Sequence, residues 1–90
     1  MDPLTRLDHL SPKIRIALSS DFIFLVFPDK VQHFPARNFG PKETKQALHE
    51  RLGQNYKLTT WQGCVVAYSA VPEIIAILPR FNKIAELQDL

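Results

Sequence analysis

Glycine is scarce in this 90-residue chain, with three residues, Gly40, Gly53 and Gly63, each isolated. No glycine-rich loop of the kind that cradles phosphates is therefore present. The single cysteine, Cys64, cannot close an internal disulfide, which excludes a disulfide framework and sets the expectation of a reducing, cytoplasmic setting. Long hydrophobic runs are also missing. The longest, Phe22 to Phe27, has six residues, against the roughly 20 that a membrane helix needs, so no membrane partner is expected. Met1-Asp2-Pro3-Leu4-Thr5-Arg6 has no basic stretch leading into an apolar one, and no secretory leader is expected. Neither repeats, biased tracts nor a linker interrupt the chain, so residues 1–90 read as a single small domain.

What is present is an ordinary globular composition, 46% apolar and 22% charged. A domain of this length buries only about 60–65% of its unfolded surface, so its stability margin is thin. That raises the expectation of a partner surface, either another protein or a second copy in a homo-oligomer. The net charge is a mild +2, but it is unevenly spread. Residues 30–57 carry six basic side chains against two acidic ones, a local +4, while each flank sums to −1. Such a basic middle can form a cationic patch, or simply a solvated polar face.

Asp2-Pro3 reads as a helix start, with Leu4, Leu7 and Leu10 on one side and Ser11-Pro12 as the stop. Ile14, Ile16 and Leu18 then alternate with Lys13, Arg15 and Ala17, the period of a half-buried strand. Phe22–Phe27 is apolar on both faces and reads as a central strand, and Val31–Phe34 follows a Pro28-Asp29-Lys30 turn as a short returning strand. The helix signals around Pro41, with Glu43 in the first turn and Gly53 as a left-handed stop, predict a helix from about Pro41 to Leu52. Tyr56–Trp61 and Cys64–Tyr68, separated by Gln62-Gly63, predict a β-hairpin. From Val71-Pro72 onward, Ile74, Ile77, Leu78, Phe81 and Ile84 share a face at 100° per residue, which predicts a C-terminal helix kinked at Pro79. A strand over Ile74 to Leu78 is the competing reading, because short apolar runs fit either period.

The expected fold is therefore α+β: a short N-terminal helix, a three-stranded β-meander, a helix, a β-hairpin and a kinked C-terminal helix around one mostly antiparallel sheet. In that fold the two-sided apolar strand needs cover on both faces. Helices cover one; the other needs the Leu4/Leu7/Leu10 helix, sheet curvature or another chain. The edge at Val31–Phe34 offers a further route, by strand addition. Ile75, Trp61, Phe39 and Tyr56 are the apolar residues expected to be left for protein interaction.

Candidate chemistry starts with the central helix. At 100° per residue, Lys42, Lys45 and His49 fall within about 60° of arc. Lys30, Arg37 and Lys57 from adjoining segments could extend this cationic stripe, Arg51 is the further basic residue counted with the nucleic-acid set, and Tyr56, Trp61 or Phe39 could stack on unpaired bases. Residues 45–63 resemble the helix-turn-helix of phage-type repressors at Leu48, Leu52 and Gly53. They depart from it at His49, Gln54 and Thr59, and strand alternation explains the second half of the segment better.

Catalytic constellations are weak. Cys64 opens an apolar strand with no cation or helix N-terminus beside it in sequence, so a buried structural thiol is expected. His9, His33 and His49 have no ligand spacing, and no metal site or cofactor is expected. Ser19-Ser20-Asp21 with His33 could be drawn as a triad, and Asp21 with Asp29 as a carboxylate pair, but short polar residues between strands are typical turn formers. A core this small can scarcely enclose a substrate pocket, and no small-molecule substrate is expected. The leading expectation is a small non-catalytic protein-interaction module, a regulator, inhibitor or adaptor, that acts through an apolar sheet or helix surface. The alternative is a nucleic-acid-binding regulator that uses the basic 30–57 segment.

Overall fold

The computed structural model describes residues 3–10, 12–13 and 21–88. A 3₁₀ helix, Pro3–His9, precedes strands β1 (Phe22–Val26) and β2 (Val31–Pro35). Helix α1 (Pro41–Leu52) follows, then β3 (Lys57–Trp61), β4 (Cys64–Ser69), β5 (Ile74–Ile77) and a short helix α2 (Ile84–Gln88). The strands form one sheet in the order β2-β1-β5-β4-β3, with every neighbouring pair antiparallel. Two hairpins lead back from the β3 edge to the centre, where β5 pairs with β1.

The crossing between the two edges is made by α1. At its start the Gly40 N–H donates to the Glu43 carboxylate at 2.7 Å, which satisfies an otherwise orphaned donor. At its end Gly53 has φ 86° and ψ −172°, and its N–H donates to the His49 carbonyl. The expected left-handed stop is therefore a positive-φ glycine whose ψ is extended. The β3–β4 turn places Gln62 at φ 50° and Gly63 at φ 81°, the double positive φ of a hairpin turn that matches strand twist.

The sheet is covered on both sides. Ile23, Leu25, Val65, Ala67 and Ala76 face Leu48 and Leu52 of α1 and Leu87 of α2. Phe24, Val26, Val66, Ile75 and Ile77 face Leu7 and Leu10 on the 3₁₀ side. Strand alternation accounts for the division, since neighbours along β1 and β5 go to opposite clusters. Of the three covers considered for the second face, the N-terminal leucines supply one.

Two expectations are corrected. Residues 74–77 are a strand, not part of a helix, and the C-terminal helix begins only at Ile84. Each residue of β5 is buried, so a period-2 strand covered on both faces shows no alternation and can mimic a helical stripe. Pro79 then stops the strand's continuation, and the chain turns through an Asn82 N–H to Pro79 carbonyl bond. Ile75, expected to be exposed, is 0% exposed in the middle strand. The predicted strand over residues 13–18 lies outside the described residues except for Lys13, which is exposed. The second helix of a helix-turn-helix is also not formed, because residues 57–61 are β3.

Candidate functional site

Helix α1 buries Thr44, Ala47, Leu48 and Leu52 against the sheet. That packing fixes its rotation and turns Lys42, Lys45 and His49 away from the core. Beside this exposed face, α1, β3 and α2 meet around an open cleft of about 700 Å³. Tyr56, Leu58 and Leu87 form its apolar part, and Lys45, His49 and Gln54 stand along the α1 side. Lys57 and Gln88 complete the rim. As the cross-strand partner of Tyr68, Lys57 stands on the opposite sheet face from Leu58 and reaches the cleft from the end of the strand. A shallower depression continues along α1 past Lys42, Gln46 and Glu50.

None of the residues lining the main cleft is acidic, among the described residues. Glu50 lines the shallower depression beside Lys42 and Lys45. Its carboxylate accepts from the Gln46 amide at 3.3 Å and lies 3.7 Å from the Arg51 guanidinium. The rings of His49 and Tyr56 lie 5.5 Å apart between centroids, inclined by 56°. Burial raises the Tyr56 phenol above its ordinary value of 10.0, so it stays neutral and able to donate a hydrogen bond through the physiological range.

The structure gathers part of each predicted set. Lys42, Lys45, His49 and Lys57 of the cationic group border the cleft or its extension, with Tyr56 between them. Arg51 does not join them; its guanidinium lies 4.2 Å from the Phe34 ring centroid. Arg37 is also elsewhere, with its Nε 3.6 Å from Asp21. The predicted interaction set of Ile75, Trp61, Phe39 and Tyr56 does not form one surface. Ile75 is core, Trp61 packs on the 3₁₀ side of the sheet, and Phe39 packs on the helix side against Phe34, 6.4 Å between centroids. Sequence reasoning missed Gln54, Leu58, Leu87 and Gln88. Leu58 had a signal, since strand alternation separates it from Lys57, but the approach of α2 to α1 has no sequence signature.

Other candidates remain separate. Cys64 is 1% exposed and pairs across the hairpin with Trp61, as a structural thiol would. His33 stands over Phe22 and Phe24 at centroid distances of 5.4 and 5.6 Å. No group of three or more His, Cys, Asp or Glu suited to a metal ion occurs among the described residues. No helix among them is long and apolar enough to cross a membrane. Comparison with protein-family models, curated proteins and solved structures finds no match to this chain.

Proposed function

We propose that the protein is a non-catalytic binding module that engages nucleic acid through the cleft between α1, β3 and α2. The observation that carries this reading is the convergence of Lys45, Lys57 and His49 on one cleft, with Lys42 on its extension along α1. Flexible ammonium groups neutralise phosphates without demanding a sequence, and release of bound counterions drives the association. The lone cysteine fits a cytoplasmic setting for such a protein.

Fluorescence anisotropy of labelled oligonucleotides tests the reading. Affinity is expected to fall log-linearly with salt, with a slope near −2 for about three phosphate contacts on a single strand. Lys42→Glu with Lys45→Glu is expected to weaken binding by at least tenfold at low salt. Absence of binding at low salt overturns the reading. A protein partner docking on an apolar surface is the second reading, supported by Val71, which stands 88% exposed in the β4–β5 turn.

A further inference from the structure

We infer that the cleft selects single-stranded nucleic acid over duplex, by stacking an unpaired base against the Tyr56–His49 ring pair while Lys42 and Lys45 hold the flanking phosphates. This rests on the proposed nucleic-acid reading and narrows it to a class of ligand. A purely electrostatic phosphate site needs only cations on a convex surface. This one has something more: the cations stand beside a recess with an apolar part formed by Leu58 and Leu87, next to two aromatic rings in mutual contact. The cleft is open to solvent, with a volume of about 700 Å³. In a duplex the faces of the bases are covered by their neighbours, so only the backbone could meet α1. In a single strand a base can leave the stack and offer its face to an aromatic ring, whichever base it is.

The rim chemistry is consistent with that occupant. Gln54 and Gln88 each carry an amide that can both donate and accept, which suits varied base edges without fixing one sequence. Lys42, exposed, and Lys45, half-buried, lie one turn apart on α1, where a backbone leaving the cleft would run. An acidic peptide would satisfy the lysines equally well, but it would leave the ring pair and the recess without a planar occupant.

The test uses the full chain and two fluorescent ligands of equal length, an oligothymidine and a hairpin duplex, titrated at the same low salt. The single strand is expected to bind about tenfold more tightly. Tyr56→Leu is expected to remove most of that preference while leaving the salt slope unchanged, because stacking contributes without changing the phosphate count. Tyr56→Phe, which keeps the ring, is expected to retain it. His49→Ala, at an exposed position, serves the same purpose if the leucine variant fails to fold. Upfield shifts of the Tyr56 ring protons on adding oligothymidine, with Trp61 on the far face unmoved, would report the stacking directly.

Equal affinity for the two ligands, with the ring variants neutral and Lys45→Glu still damaging, overturns the single-strand inference. That result leaves the nucleic-acid reading standing. No binding of either ligand overturns both.

Discussion

At the scale of single residues, position along a strand decides more than residue type. Leu58 and Lys57 are chain neighbours, yet one contributes to the apolar recess and the other reaches it from the strand's end. Ile75 and Val71 are both aliphatic, but one is 0% and the other 88% exposed. Tyr56 shows the consequence of partial burial for chemistry. Its phenol is pushed up from 10.0 by desolvation, so the folded protein holds that proton more tightly than the unfolded chain does. This contribution to stability is complete below pH 10 and is lost as pH rises through the higher folded-state value. Wild type is therefore expected to lose more stability than Tyr56→Phe between about pH 10 and pH 12. Urea denaturation across that range checks it, and parallel curves would show that the phenol does not feel the fold.

At the scale of elements, what could be read from the sequence depended on whether the signal was local. Helix α1 was legible because Pro41, Glu43 and Gly53 mark its ends chemically. The β3–β4 hairpin was legible for the same reason, since Gln62-Gly63 carries its own turn geometry. β5 was not, because a four-residue strand buried on both faces has no polar side to announce its period. Its cover comes from Leu7 and Leu48, elements distant in sequence. Gly53 gives the element scale a test. Its φ of 86° with ψ of −172° lies in a region open essentially to glycine alone. An added Cβ would meet nothing within 4 Å, so any cost of substitution comes from backbone strain and not from a clash. Gly53→Ala is expected to lower stability by about 1–3 kcal/mol, read by urea or thermal denaturation. A neutral result would mean that the α1–β3 connection relaxes into an ordinary conformation.

At the scale of the whole molecule, the two sheet faces have different roles. The helix face carries both a core and the cationic cleft, while the 3₁₀ side carries core alone among the features described. Among the described residues outside the sheet, cover on that second side comes mainly from two leucines. Leu7 is fully buried and Leu10 nearly so, and they lie over a cluster that includes Phe24, Val66, Ile75 and Ile77. Arg6 adds a contact across the same side, its Nη1 3.5 Å from Glu73 just before β5, but Nη1 and Nη2 are buried with no hydrogen-bond partner among the described residues, so the desolvation of the guanidinium offsets the attraction. The leucines therefore carry the attachment of the N-terminal segment. Leu7→Ala is expected to destabilise the protein by about 2–5 kcal/mol, the range for truncating a fully buried leucine, a large share of a small domain's total stability. Leu7→Ala with Leu10→Ala is expected to leave enough of the sheet's apolar face uncovered to promote self-association, which light scattering at increasing concentration would detect. Oligonucleotide affinity of the folded single variant should match wild type, because the cleft lies on the opposite face. A loss of less than about 0.5 kcal/mol for Leu7→Ala, within the range of ordinary surface substitutions, would mean that the N-terminal leucines do not hold that face.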